Sequence, residues 1–270
     1  MLKKRVITAL WGIPLVIVAV WFSRPEYPFP LFTVLAAVFG LLAVLEFLRM
    51  TGVSKVMPLV VFGSAATVLF IAYPHCTFQF VLPVLLTLTI ALSLIMLIFL
   101  KQKENVYANW AWTMGGILYV GWLLSLLVTI RLDAGRDWVF LALFTTFGSD
   151  TAAYFLGKAI GRHKLAPQIS PGKTWEGAIA GVIGGVIISI LFTLDTPLQL
   201  PLEYWQAILL GAFISVFGQF GDLVESLLKR NTGVKDSGTL MPGHGGLLDR
   251  MDSVVFAGAV VYLYYIITVA

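Results

Sequence analysis

Apolar residues along this chain fall into runs long enough to cross a bilayer, set apart by short polar stretches. With roughly 20 apolar residues needed per spanning helix, the pattern predicts spans over Val6–Phe22, Leu31–Leu48, Val56–Tyr73, Phe78–Leu100 and Met114–Ile130. Four less purely apolar ones follow at Trp138–Leu156, Trp175–Leu194, Tyr204–Leu228 and Leu248–Val269, which makes nine in all. The fold expected is therefore all-α and polytopic, with residues 1–137 as a transmembrane scaffold of about five spans and residues 138–270 as a working half of about four. The first half is nearly free of intramembrane charge, whereas the second carries Asp150, Glu176, Asp222, Glu225, Asp249 and Asp252. Trp21, Trp110, Trp138, Trp175 and Trp205 lie near span ends, as interfacial anchors do.

Composition makes a soluble globule untenable: of 270 residues, 59% are hydrophobic and 12% charged, and the mean hydropathy is +0.92. The net charge of +4 raises the question of nucleic acid, but the placement of the basic residues answers it otherwise. With a cytoplasmic N-terminus, Lys3, Lys4, Arg5, Arg49, Lys55, Lys101, Lys103, Lys158, Arg162, Lys164, Lys173, Lys229, Arg230, Lys235 and Arg250 fall inside, and only Arg24, Arg131 and Arg136 outside. Fifteen against three is the asymmetry of the positive-inside rule, and no nucleic-acid partner is needed. Lys3-Lys4-Arg5 before an apolar run also resembles a cleaved signal, but Phe22-Ser23-Arg24-Pro25 offers no small-residue cleavage site, so the run is read as a retained span. Lone Cys76 forms no internal disulfide, and three dispersed histidines give no zinc spacing.

The long polar connections, 157–174 and 229–247, are both placed on the cytoplasmic side, so function is expected there. A carboxylate deep in a bilayer costs about 2.5–3.5 kcal/mol on insertion scales and lines a wet cavity or meets a partner. Counting about 1.5 Å per helical residue, Asp150 lies roughly 12 Å from Lys158 and Asp222 roughly 10 Å from Lys229, both below the inner surface. Asp222, Glu225, Ser226 and Lys229 share one helical face, although Glu225 and Lys229 could simply pair with each other. Asp249 and Asp252 open the last span, where acidic residues also favour a helix N-terminus. Hard oxygen ligands from two helices suit Mg²⁺ bound with substrate phosphates, and Asp222 with Asp249 is the preferred metal pair. The intervening loop holds Lys229, Arg230 and Lys235, and ends in His244-Gly245-Gly246 before a helix N-terminus that favours phosphate; as composition alone it would also serve as a connector. Gly172-Lys173-Thr174 is not a P-loop, because Pro167 stands at its first glycine and no strand is expected before it. Gly177, Gly181 and Gly185 leave a smooth stripe for a packed helix.

Residue order carries the reading further. Over the 27 residues from Ser226 to Asp252 the chain resembles the phosphatidate cytidylyltransferase (CDP-diacylglycerol synthase) family, through Ser226, Lys229-Arg230, Lys235-Asp236, Gly238, Pro242, His244-Gly245-Gly246, Asp249-Arg250 and Asp252. Met241 departs slightly, where that family more often carries a branched aliphatic or aromatic side chain. The likeness extends upstream through Gly148-Ser149-Asp150, Gly161-Arg162-His163-Lys164 and Ser170 to Gly177. It implies CTP and phosphatidate as substrates, attack of the lipid phosphate on the CTP α-phosphorus, and release of pyrophosphate. Mg²⁺ would sit on Asp222 and Asp249, with a second cation such as K⁺ left open, and phosphate would be bound by Lys173, Lys229, Arg230, Lys235, His244, Gly245, Gly246 and Arg250. Ser226 would join the substrate-binding set and Asp252 the catalytic one, with Asp150 and Glu176 supporting the recess. Homodimer formation is left open, and the cell (inner) membrane is the expected location. A CTP-dependent lipid kinase and a transporter of an anionic substrate are the rival readings.

Overall fold

The computed structural model describes residues 2–24, 26–27, 30–100, 104–241 and 245–268, with side chains from residue 10 onward. Ten α-helices make up nearly all of it: α1 (Leu2–Phe22), α2 (Leu31–Met50), α3 (Met57–Ala72), α4 (Val81–Phe99), α5 (Val106–Gly116), α6 (Leu123–Asp133), α7 (Arg136–Ile160), α8 (Trp175–Leu191), α9 (Tyr204–Thr232) and α10 (Leu248–Thr268). Among the described residues, seven helical stretches are long and apolar enough to cross a membrane, and Leu10–Phe22 of α1 and all of α8 are shorter apolar helices. The protein is thus an all-α polytopic membrane protein. A π turn over Ile117–Trp122 joins α5 to α6, so the fifth apolar stretch is one 28-residue helix from Val106 to Asp133, longer at both ends than the apolar run suggested. Asn109 and Trp110, polar enough to look like a boundary, lie inside it: the Trp110 indole donates to Ser93 Oγ at 2.8 Å.

The chain divides into two compact units, residues 1–128 with 234–249, and residues 129–233 with 250–270. In the first, Ala66 and Phe70 of α3 bury against Ile117, with Phe62, Leu85 and Trp122 around them. Gly121 permits that approach, since a Cβ there would lie 3.1 Å from the Thr67 backbone. The segment 234–249 belongs to this unit although the sequence attaches it to the last two spans.

In the second unit the glycine stripe of α8 packs as expected. A Cβ on Gly177 would stand 2.8 Å from the Ala153 carbonyl oxygen of α7, one on Gly181 2.9 Å from Gln219 of α9, and one on Gly185 would strike Ser215 of α9. The opposite face exposes Ile179, Ile183, Ile187 and Leu191, a stripe suited to hydrocarbon rather than water. α9 begins with a capping box between Glu203 and Gln206 and ends at Gly233 in the left-handed region (φ 75°), with Lys229 and Arg230 in its last turn, where cations meet the negative end of the helix dipole. The connection expected as a polar loop over 157–174 is shorter and more ordered: α7 runs on to Ile160, and β1 (Lys164–Ala166) pairs antiparallel with β2 (Ser170–Thr174). This small strand pair departs from the purely helical expectation. Local polar bonding favours it, because the Trp175 amide donates to the His163 carbonyl at 2.9 Å.

Candidate active site

The hairpin and the helix after it share one anchor. Thr174 caps α8, its Oγ1 accepting from the Gly177 amide at 3.2 Å, and Glu176 in the first turn accepts from the Arg162 amide at 3.1 Å and meets His163 Nδ1 at 2.6 Å. Held this way, β2 delivers Lys173, whose Nζ lies 2.7 Å from Asp222 Oδ2. A second tie runs from the tip, where Arg230 Nε donates to the Ile169 carbonyl at 3.1 Å. Glu176 and Arg230 therefore shape the hairpin, a task that the sequence did not reveal for either.

Around Asp222 the acidic residues of the second unit converge. Oxygens of Asp222, Glu225 and Asp252 lie within 4.8 Å of one another, although they come from α9 and α10. That closeness depends on Gly221, which leaves no room for a Cβ against the Asp252 backbone. Ser226 Oγ donates to Asp222 Oδ1 at 3.3 Å, one helical turn away, as the spacing predicted. Asp252 is 7% exposed and Glu225 fully buried. Asp150, on α7, lies within electrostatic reach of Asp222, Lys173 and Arg250, and Asp252 within reach of Asp150 and Lys229. The Glu225–Lys229 pair, left open on sequence, forms at 2.6 Å. Four carboxylates thus face Lys173, Lys229 and Arg250. Their oxygens, in a half-buried setting with cations only partly offsetting them, are the donor set a hard divalent ion takes.

The loop residues of the first unit form their own constellation. Asp249 Oδ2 accepts from the Ser237 amide at 3.1 Å, from Ser237 Oγ at 2.9 Å and from the Gly246 amide at 2.7 Å. Gly245 adopts φ 85°, a conformation glycine takes without a Cβ penalty, and this turns the chain into α10. The Gly246 amide, expected to be offered to phosphate, is thus engaged by Asp249 itself. Lys235 and Asp236 are exposed. His244 and Pro242 lie outside the described residues, as do Lys101 and Lys103.

One participant was missed. Glu46 of α2 is 8% exposed, and its Oε2 accepts from the Leu248 amide at 3.0 Å and from Ser237 Oγ at 3.4 Å. The available signal was a carboxylate inside an apolar run.

The profile of the cytidylyltransferase family matches residues 3–268. The chain belongs to that family. Among curated relatives, the phosphatidate cytidylyltransferase of Staphylococcus haemolyticus (strain JCSC1435) is 36% identical over 225 residues, 82% of this chain and 84% of that protein. The phosphatidate cytidylyltransferase of Bacillus subtilis (strain 168) is 44% identical over 152 residues, 56% of this chain and 55% of its own length. The match thus spans about half of the Bacillus protein and most of the Staphylococcus one. The profile takes in the first half of the chain as well as the second.

Proposed function

We propose that this chain is a phosphatidate cytidylyltransferase, which joins CTP to phosphatidate and releases CDP-diacylglycerol and pyrophosphate. The observation that carries the reading is the convergence of Asp222, Glu225 and Asp252 beside Lys173 in a chain matched to this family from end to end. A phosphatidate oxygen attacks the α-phosphorus of CTP, forming one P–O bond as the bond to the bridging β-phosphate oxygen breaks and pyrophosphate leaves with the electron pair. The nucleophile is already anionic, so no general base is required, and positioning with charge neutralisation supplies most of the rate.

Asp222 and Asp252 fit a divalent ion, Mg²⁺ by donor chemistry, with Glu225 and Asp150 at the edge of the set. When bound, that ion would neutralise charge on the substrate phosphates. This reading moves the metal pair from Asp222 and Asp249 to Asp222 and Asp252, because three hydrogen bonds commit Asp249 Oδ2 to the loop. Lys173 and Lys229 hold the carboxylates in place and are available to exchange onto phosphate. Arg250, Lys235 and His244 bind the triphosphate or the lipid headgroup, while Arg230 and Glu176 act through the hairpin. All nine apolar helices cross the cell (inner) membrane, the N-terminus and the site face the cytoplasm, and water-soluble CTP meets a lipid that stays in its leaflet. A second cation such as K⁺ and a homodimer are compatible with this reading.

The test is incubation of purified protein with labelled CTP, phosphatidate and Mg²⁺, followed by lipid extraction. Cytidine label in the lipid phase, with pyrophosphate in the aqueous phase, is the expected result. Transfer of the γ-phosphate with release of CDP would make the chain a lipid kinase, and no transfer at all would leave a transporter.

A further inference from the structure

Glu46 stands far from the working half in sequence, yet its carboxylate lies at the centre of the loop that the family signature defines. Both of its hydrogen bonds go to Oε2, from the Leu248 amide and Ser237 Oγ, whereas buried Oε1 has no hydrogen-bond partner among the described residues. Ser237 Oγ is shared with Asp249 Oδ2, so Glu46 and Asp249 are linked through one hydroxyl. Two glycines of the signature owe their smallness to this carboxylate. A Cβ on Gly238 would collide with Glu46 Oε1, and one on Gly246 would lie 2.5 Å from Glu46 Oε2. A buried carboxylate that touches both ends of a loop and the first turn of α10 constrains the loop from outside it, where residues 234–247 contain four glycines that leave the backbone free to open locally.

We infer that Glu46 is a positioning residue for the transfer reaction, holding the described parts of the signature loop, residues 234–241 and 245–249, through Ser237 and the α10 N-terminus so that Lys235 is presented to substrate phosphate. The inference rests on the function proposed above. It acts by hydrogen-bond acceptance at Oε2, so a glutamine, whose carbonyl oxygen replaces Oε2 and whose amide nitrogen replaces partnerless Oε1, should serve nearly as well.

The experiment compares wild type, Glu46→Gln, Glu46→Ala and Gly238→Ala in the full chain, each purified in detergent and shown monodisperse. Two readouts are taken: the KM for CTP against kcat, and the rate of tryptic cleavage after Lys235, which needs no activity. Glu46→Ala and Gly238→Ala should raise the KM for CTP about tenfold with a smaller change in kcat and should speed cleavage after Lys235, while Glu46→Gln stays close to wild type in both. Wild-type KM and cleavage rate in Glu46→Ala would overturn the inference, as would Glu46→Gln behaving like Glu46→Ala. If Glu46→Ala fails to fold, Gly238→Ala, which presses on the same carboxylate, decides by the same two readouts. Should wild type put no cytidine into lipid, the function proposed above falls, and the cleavage rates still judge whether Glu46 holds the loop.

Discussion

Asp222 is the residue on which the site turns, touched at once by Lys173 and Ser226 and close to two more carboxylates. Replacing it with Asn keeps the shape and removes the charge, so the Asp222→Asn variant should stay monodisperse and lose about 100-fold in kcat/KM, the loss typical of removing one group that stabilises transition-state charge. Wild-type activity across a Mg²⁺ series would defeat its place in the site. Lys173 calls for the opposite balance. Its pair with Asp222 is 22% and 38% exposed on the two sides, and a partly exposed ion pair contributes about 1 kcal/mol or less to stability. Lys173→Met should therefore shift the melting temperature little while raising the Mg²⁺ and CTP concentrations needed for half-maximal rate. The polar face of Asp222, Ser226 and Lys229 was legible because helical periodicity is a local property. Glu46 was not, since one carboxylate in an apolar run says that a partner exists but nothing about which loop, some 200 residues on, supplies it.

At the level of elements, the sequence was most informative where a single helix had to bury one face. Gly177, Gly181 and Gly185 announced a close-packed stripe, and α8 lies against α7 and α9 along it. Gly211 of α9 belongs to the same seam: a Cβ there would stand 2.9 Å from the Val186 Cα and 3.0 Å from the Gly185 carbonyl oxygen. Those are backbone atoms and cannot rotate away. Gly211→Val should cost about 1–3 kcal/mol through overpacking, seen as a lower melting temperature in detergent, whereas Gly172→Ala, with nothing within 4 Å of its added Cβ, should be neutral. The β1–β2 hairpin was illegible for a different reason. Its strands are three and five residues long, too short for alternation to register, and they are held by Glu176 and Arg230 from outside the pairing. Substituting Glu176 by Ala should loosen the hairpin and weaken the Lys173–Asp222 contact, so this variant is expected to show a Mg²⁺ and CTP dependence like that of Lys173→Met.

For the molecule as a whole, the open quantity is how many times the chain crosses. α8 has 17 residues, about 25 Å of helix at about 1.5 Å per residue, against roughly 30 Å of hydrocarbon; its exposed isoleucines and lipid-suited face nevertheless match a span that thins the bilayer or sits among longer neighbours. Crossing parity turns this into a measurement. Between Cys76, the exposed single cysteine in the α3–α4 connection, and exposed Thr239, the apolar helical stretches are α4, α5–α6, α7, α8 and α9. Five crossings put the two positions on opposite sides, and four, with α8 failing to cross, put them on the same side. An impermeant maleimide applied to intact cells should therefore label Cys76 in the native chain, and should label a Cys76→Ser, Thr239→Cys variant only after the membrane is opened. Labelling of Thr239→Cys but not of Cys76 would invert the orientation drawn from the basic residues. Labelling of both, or of neither, would remove α8 from the set of crossing helices and place residues 157–174 on the other face from the 234–249 loop. Cys76 is assigned no part in the site, so transfer activity measured in Cys76→Ser should survive the substitution.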